Sequence, residues 1–479
     1  MSFSPAGLLP FAARLTGASR LLIAYSGGMD SHVLLHALAQ LRAHFPGVEL
    51  QAIHINHSLH ASAADWAQHC ARACAALEVP CEIRVVDARA LSGVSPEDAA
   101  RAARYGVFAE VVQAGDVLFT AHHQDDQAET LLLQLLRGAG PQGLAGMSDL
   151  SRFGTAWLAR PLLEFSRAEL LGYALAQQLH WIDDPSNVDT RFDRNYLRHE
   201  ILPHLQRRWP AAQVTLARSA QHCAEAAELL EVLARSDFQD IQLDKSGNAT
   251  KALLLPPGRG KAGMGVGHIN DPHPALPPSR GKELFADPLS VSKLLQLSPA
   301  RQRNVLRFWI EQADLPAPQQ RHLHQLQNEV LTAAADAEPR AHWPGVDILR
   351  YRDALNAMPQ QPVFDASQQY EWRLDMPLKI ANVGTLTACH NQQVGLRADA
   401  CAAGVRVAFR SGGERIKPAG RAHHATLKNL FQQVGVPPWL RERVPLLYIG
   451  AELAAVAGYW YADEFAARVG AITIEFQPE

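Results

Sequence analysis

Residues 26–31, Ser-Gly-Gly-Met-Asp-Ser, join the apolar run LLIAY (21–25) to the helix-like stretch SHVLLHAL (31–38). Two adjacent glycines can adopt positive φ and let backbone N–H groups come close to an anion. A helix that begins there turns its positive end toward the same point. Ser26 and Ser31 add hydroxyl donors, while Asp30 would repel a bare phosphate unless Mg²⁺ or the helix N–H groups balance it. The loop has neither the Lys-Ser/Thr pair of a P-loop nor the spacing of G-x-G-x-x-G. The plainer alternative is a tight strand-to-helix turn with an ordinary cap. Strand, loop and helix in register favour a phosphate.

Two further stretches carry chemistry. In HHQDDQAETLLLQLLRGAG (122–140), Asp125 and Asp126 open a helix and Glu129 follows on the same face as Asp125. Three acids there suit Mg²⁺ or an ammonium group, and equally suit compensation of the helix dipole. The run DDPSNVDTRFDRNYLRHEILPHLQRRWP (183–210) mixes Arg191, Arg194, Arg198, Arg207 and Arg208 with Phe192, Tyr196 and Trp209. Arginines and aromatic rings contact phosphates and stack on unpaired bases; a salt-bridged surface helix is the competing reading. His54, His57 and His60 recur every third residue, a poor chelating pattern in a strand-to-loop stretch. They read as scattered surface or site histidines, as do the pairs His122–His123 and His423–His424.

These residues need a frame, and the first two hundred positions supply one. Strand-like segments at 21–25, 48–57, 81–88 and 116–123 alternate with helical patterns at 62–79, 95–115 and 125–140. Ser95 is a natural N-cap, with Pro96 at the first helical position. WLARPLLEF, then SRAELLGYALAQQL, adds a further strand and capped helix. Such alternation predicts a parallel sheet covered on both faces. Ligands of such sheets bind beyond the carboxyl ends of the strands. The glycine loop, HINH (54–57) and AHHQDDQAET (121–130) all fall at such ends, so they converge on one cleft.

The glycine loop resembles the PP-loop of the N-type ATP pyrophosphatases, which cleave ATP between the α- and β-phosphates. More specifically, SGGMDS, HINHSLH, ARAARY (100–105), AHHQDDQAETLLLQLLRGAGPQGLAGM, RPLLEFSRAEL and DDPSNVDTRFDRNYLRHEILP follow the order and approximate spacing of the tRNA(Ile)-lysidine synthetases. The resemblance covers most of residues 20–210. It implies that Ser26, Gly27, Gly28, Met29, Asp30 and Ser31 bind ATP, with Asp30 and Asp126 as Mg²⁺ ligands. It further implies that Asp125, Asp126 and Glu129 hold the ammonium of free lysine and that Arg104 stabilises the phosphates or an adenylate. Arg191, Arg194, Asn195 and Arg198 are expected to contact the tRNA. The reaction implied is ligation of lysine to the wobble cytidine of an isoleucine tRNA with a CAU anticodon, giving AMP and pyrophosphate. The rivals are a PP-loop tRNA thiolase, which would need paired cysteines or a cluster, and a non-catalytic nucleotide- or RNA-binding protein on the same fold.

At 479 residues the chain is long enough for two or three domains. The resemblance implies an α/β catalytic domain with a Rossmann-like parallel sheet over 1–210, a helical connector over 211–235 and a mainly helical middle domain over 236–345. A connector over 346–390 and a small α+β C-terminal domain over 391–479 follow. LLPPGRGKAGMGVGHINDPHPALPPSRGKE (254–283) is too rich in Gly and Pro to build a core, and composition predicts a disordered insertion. Between Arg406 and Arg443 eight Arg or Lys face two Glu, an excess that favours phosphate backbone. Arg410, Arg415, Lys417 and Lys428 are the expected tRNA contacts there. The net charge of −3 announces no partner. No apolar run approaches the ~20 residues that span a bilayer, and six scattered cysteines without C-x-x-C spacing suit a reducing cytoplasm. A membrane partner is not expected, and a homodimer stays open.

Overall fold

The first strand, β1 (Arg20–Ala24), sets the architecture, because it is buried on both faces: Leu21 and Ile23 point to one side and Leu22 to the other. A computed structural model describes residues 2–15, 17–57, 62–86, 96–243, 287–334, 337, 339–391, 394–402, 404–468 and 470–478. Ser95, His60 and the insertion 254–283 lie outside these residues. The chain divides into two units, 1–230 and 231–479.

In the first unit a short helix α1 (Leu9–Ala12) precedes β1. Then come α2 (Met29–Gln40), β2 (Glu49–Asn56), α3 (Ala63–Ala76), β3 (Cys81–Val85), α4 (Pro96–Val111), β4 (Asp116–Phe119), α5 (Gln124–Leu136) and α6 (Pro141–Leu144). A hairpin of β5 (Leu150–Phe153) and β6 (Ala156–Ala159) leads to α7 (Arg167–Ala176), α8 (Asp193–Tyr196), α9 (Leu202–Arg208) and the thirty-residue α10 (Ala212–Ile241). Six strands form one sheet in the order β3-β2-β1-β4-β6-β5. All neighbours are parallel except β5 and β6. Hydrophobic residues cover both faces: Val33, Leu34 and Leu170 belong to one core cluster, and Phe108, Ile53 and Leu118 to the other. This continuous burial explains why the strands read as apolar runs rather than alternating patterns.

The order of strands reverses between β1 and β4, since β2 and β3 lie to one side of β1 while β4, β6 and β5 lie to the other. That reversal opens a crevice at the carboxyl ends of the two central strands. The glycine loop follows β1 and the histidine–aspartate stretch follows β4, so both border the crevice. The hairpin partner β5 is not apparent in the sequence, whose signal there is a single strand. It shields the edge of β6 by antiparallel pairing. Beside the start of α5, the Ser166 hydroxyl accepts from the Glu169 N–H (3.3 Å) while the Glu169 carboxylate accepts from the Ser166 N–H (2.9 Å), a reciprocal cap on α7.

The second unit begins within α10, which runs beyond the expected connector 211–235. Its helices α11 (Val291–Leu294), α12 (Pro299–Gln312) and α13 (Gln320–Gln325) pack on a four-stranded antiparallel sheet. That sheet comprises β7 (Leu289–Ser290), β8 (Arg340–Trp343), β9 (Val346–Tyr351) and β10 (Ala354–Pro359), in the order β7-β10-β9-β8. The helical region therefore carries a sheet, and its strands β9 and β10 fall in the segment 346–390 that the sequence presents as a connector. Trp309, Ile310, Leu323 and Ile348 form its core. Two five-stranded antiparallel sheets complete the unit; their central strands include Val405–Ala408 with Leu446–Ile449, and Gly384–Asn391 with Ala471–Pro478. The helix Leu427–Val434 is capped by Thr426 and stopped by Gly435 at φ 77°.

Candidate active site

The glycine loop is shaped by what lies behind it. Gly27 has φ +87°, and a Cβ placed there would sit 2.8 Å from Ile182 Cδ1 and 2.9 Å from Cys70 Sγ. Its carbonyl accepts from the Ile182 N–H at 2.9 Å, which fastens the segment after α7 to the loop. Gly28 is the extended N-cap of α2. The Ser31 hydroxyl donates to the Gly28 carbonyl at 2.9 Å and lies 3.0 Å from the Ser26 hydroxyl. The Gly28 N–H donates to Ser26 Oγ at 3.3 Å, so the turn is held by its own groups, while the first N–H groups of α2 have no partner within the helix.

A cavity of about 670 Å³ opens in front of this loop. Ser26, Gly28, Met29, Asp30 and Ser31 line one side, Arg104 and Tyr105 another, and Asp125, Glu129 and Arg198 a third. The structure therefore brings the loop, Arg104 and the acids at the start of α5 to one space. Asp126 stands just behind: its Oδ2 accepts from the His123 N–H at 3.0 Å, capping α5.

The acids differ sharply in what they touch. Glu129 has no exposed surface, and its carboxylate is held by Arg194 Nε at 2.9 Å and by Arg198 Nε at 2.6 Å. Arg198 Nη2 also donates to Asp126 Oδ1 at 3.1 Å. Arg194 and Arg198, expected from the sequence as RNA contacts, here turn into the site. A buried carboxylate without a partner would cost several kcal/mol. Arg198 lies in a π-helical turn, Leu197–Ile201, an irregularity frequent at functional sites. Asp125 accepts from the Arg167 N–H at 3.3 Å and from Gln213 Nε2 at 3.2 Å. Asn195 donates to the Ser186 and Asp189 carbonyls, a local brace. Arg191 is paired with Asp189 and otherwise exposed.

Two adjacent histidines experience opposite fields. Burial works against a charge on His123, but Asp126 and Asp30 outweigh it and push the imidazole up to about 9. Its Nε2 lies 3.5 Å from Asp126 Oδ2 and 3.7 Å from Asp30 Oδ2, so the cation bridges the glycine loop and α5. His122, whose Nδ1 is 3.0 Å from Thr120 Oγ1, is pushed down to about 3 by burial, with Arg160, Arg194 and Arg101 adding to the shift against a weaker pull from Asp126. The sequence offered these residues only as site or surface histidines; their place directly after β4 was the signal. His54 and Cys70 also sit behind the loop, 3.3 Å apart.

Among the described residues Asp30 Oδ1 is buried without a hydrogen-bond partner, which suits a cation, whereas both oxygens of Asp126 are engaged. Among the described residues no cluster of three or more His, Cys, Asp or Glu side chains is poised for a metal. In the second unit, Arg410 lies 3.5 Å from Glu414 and Lys417 pairs with Asp463 at 2.8 Å, while Arg415 and Lys428 are exposed.

A parallel sheet with a glycine-loop anion site at its switch point, acids across the cleft, defines an ATP-binding protein of the PP-loop class. The chain matches the PP-loop domain family over residues 8–205, the TilS substrate binding domain over 289–355 and the TilS substrate C-terminal domain over 405–476. It is 40% identical over 467 residues to a tRNA(Ile)-lysidine synthase of Coxiella burnetii, covering 97% of this chain and 94% of that one. It is also 40% identical over 458 residues to one of Methylococcus capsulatus, covering 95% of each. A U34-tRNA thiolase from Methanococcus maripaludis is 17% identical at a TM-score of 0.39, over 46% of this chain and 78% of that one. This chain belongs to the tRNA(Ile)-lysidine synthase family.

Two predictions follow from the geometry. Gly27→Ala places a methyl group against Ile182 and Cys70 at a φ that L-residues avoid, so the loop must shift. A displacement of about 1 Å at a reacting group costs on the order of 10²-fold in rate. ATP turnover by Gly27→Ala should fall by that order while tRNA affinity holds; wild-type turnover would show that the loop tolerates the methyl group. The second concerns His32, which burial and the neighbouring His69 push down to about 4. A folded-state value below the unfolded 6.5 means that its stabilisation is present above pH 6.5 and is lost as pH falls toward 4. The loss amounts to roughly 3 kcal/mol. Urea unfolding of wild type and His32→Gln between pH 4 and 7 checks this: the variant should show the shallower pH slope, and equal slopes would remove His32 from the account.

Proposed function

We infer that this protein joins free L-lysine to C2 of the wobble cytidine in tRNA(Ile) with a CAU anticodon, converting ATP to AMP and pyrophosphate. The observation that carries the reading is the single cavity shared by the glycine loop and by Asp125 and Glu129. It offers one anion site and one acidic edge within the reach of a nucleobase.

Cytidine C2 is a weak electrophile and its carbonyl oxygen a poor leaving group. Attack of that oxygen on the α-phosphate of ATP makes an adenylated base and releases pyrophosphate. The lysine ε-amine, once deprotonated, then adds to C2, and AMP departs with the former carbonyl oxygen. A difficult substitution becomes two easier ones, driven by positioning and charge neutralisation. Free N–H groups at the start of α2, with Ser26 and Ser31, hold the departing pyrophosphate portion, so a γ-phosphate lysine is not required. Arg104 faces the same cavity and balances phosphate charge. Asp125, at the cavity wall, favours the ammonium of the incoming lysine, while Asp126 and Glu129, both tied to Arg198, shape the field around it. The target base, already unpaired in an anticodon loop, is turned out cheaply into the cleft.

Mg²⁺ fits the lone oxygen of Asp30, with ATP phosphates and water completing the shell as is usual for this ion. When bound it would neutralise phosphate charge. Asp126, committed to its cap and to Arg198, contributes through the field it sets on His123. Exposed Arg191, Arg415 and Lys428 are positioned for tRNA phosphates. Six unpaired cysteines and a tRNA substrate suit the reducing cytoplasm.

The test is incorporation of labelled lysine into unmodified CAU-bearing tRNA(Ile) with Mg²⁺-ATP, counting AMP alongside. Lysine and AMP should appear one to one. AMP without lysine would point to a different nucleophile. Asp30→Ala should abolish AMP formation while tRNA affinity is retained, and normal turnover in that variant would refute the loop assignment.

A further inference from the structure

A second cavity, of about 600 Å³, lies in the second unit between α13, the turn joining β8 to β9, and Gln360 just after β10. It approaches the catalytic cavity in size, and the chemistry above makes no use of it. Its wall carries the guanidinium of Arg321, the imidazoles of His322 and His342, the indole of Trp343 and the carboxamides of Gln325 and Gln360, and among the described residues no carboxylate.

The wall is preorganised. His322 and Trp343 are both buried and stack with centroids 4.9 Å apart and planes 7° apart. Trp343 Nε1 donates to the Pro316 carbonyl at 2.8 Å, which fixes the indole. The imidazole of His322 meets two donors: the Gln319 N–H at Nδ1, 3.1 Å away, and Arg321 Nε at Nε2, also 3.1 Å away. A neutral ring has only one acceptor nitrogen. Burial, aided by Arg321 and His342, pushes His322 down and so favours the neutral ring. The Gln319 contact caps α13 and the Arg321 contact is with an exposed side chain, so Arg321 is the partner that gives way. It forms no ion pair among the described residues. A guanidinium set beside an imidazole it can bond only in part, at the mouth of a cavity without acids, is a site that favours an anion.

We propose that this cavity binds one nucleotide of the tRNA substrate, with Arg321 on its phosphate and His342, Gln325 and Gln360 on its base or ribose edge. The inference rests on the reading of the chain as a tRNA-modifying enzyme. Carboxamides and an imidazole supply polar groups for a nucleoside edge, whereas a bare anion site would have no use for the carboxamides. Six of the seven lining residues fall in the span 289–355 that matches a substrate binding domain.

The experiment is equilibrium binding of unmodified tRNA(Ile) to the full-length protein over a range of salt, for wild type, Arg321→Gln and Arg321→Lys, with lysine incorporation measured in parallel. Arg321→Gln should bind roughly tenfold more weakly, the effect of losing one charge-assisted contact. Its log–log salt slope should be smaller by about 1, and Arg321→Lys should restore the slope. KM for tRNA should rise while kcat and KM for ATP stay unchanged, with thermal unfolding as in wild type. Wild-type affinity and slope in Arg321→Gln, with lysidine still formed, would overturn the site and leave the parent reading standing. Arg321-dependent binding of free AMP with unaltered tRNA affinity would overturn it in favour of a free nucleotide. A wild-type protein that neither binds tRNA nor incorporates lysine would overturn both.

Discussion

Glu129 carries a carboxylate where no water reaches, and the geometry of the active site depends on how that charge is met. Two guanidinium groups approach its two oxygens, from Arg194 in α8 and Arg198 in the π-helical turn that follows. Leaving a buried charge alone would cost more than most single packing defects, whereas the doubly bonded arrangement is stable. The pairing joins α5, which extends from the end of β4, to a segment some 65 residues later in the chain. That segment then forms the third wall of the cavity. The loop 180–190 is held from its other end by the Ile182 N–H on the Gly27 carbonyl. Anion loop, acidic helix and arginine wall are therefore one connected structure rather than three independent motifs.

The same field explains why neighbouring histidines differ. His123 points its Nε2 at two carboxylates, which push it up; His122 is pushed down chiefly by burial, which outweighs the pull of Asp126. A protonated His123 between Asp30 and Asp126 keeps two like charges from separating the loop and the helix. It engages Oδ2 of Asp30 and not the buried Oδ1. Sequence adjacency gives no hint of this division, which arises because successive residues after a strand point to opposite sides.

Legibility in the sequence followed the range of the physics. The alternation of strand and helix and the convergence of the glycine loop with the histidine–aspartate stretch were readable, since they depend on hydrophobic periodicity and local turn chemistry. β5 was not, because a four-residue strand is set by its partner rather than by its own pattern. The segment 344–358 reads as one strand leading into a connector rather than as the hairpin of β9 and β10, whose outer edge is completed by β7 from much earlier in the chain. The loop residues Ser26 to Ser31 could be identified as a set, but not the contacts of Gly27 with Cys70 and Ile182, which come from α3 and from the segment after α7. Arg194 and Arg198 illustrate the same limit, since nothing local distinguishes an arginine that faces solvent from one that neutralises a buried glutamate.

That limit bears on how basic runs should be read. The stretch from Arg406 to Arg443 has a charge excess that suits phosphate, yet several of its members are structural. Arg441 donates to the Val436 carbonyl at 2.8 Å, and Arg443 donates to the carbonyls of Asn382 and Pro362 at 2.7 and 2.6 Å. Each uses the rigid fork of the guanidinium to satisfy backbone oxygens that would otherwise be buried or strained for partners. Lys417 is tied to Asp463. The long-range field counts every charge, whereas a phosphate contact needs a group that can reach out. Under the proposed function the field of all eight side chains would steer an RNA, while the contacts themselves would fall to exposed members such as Arg415 and Lys428. Steering and gripping are separate tasks, and only the first can be read by counting.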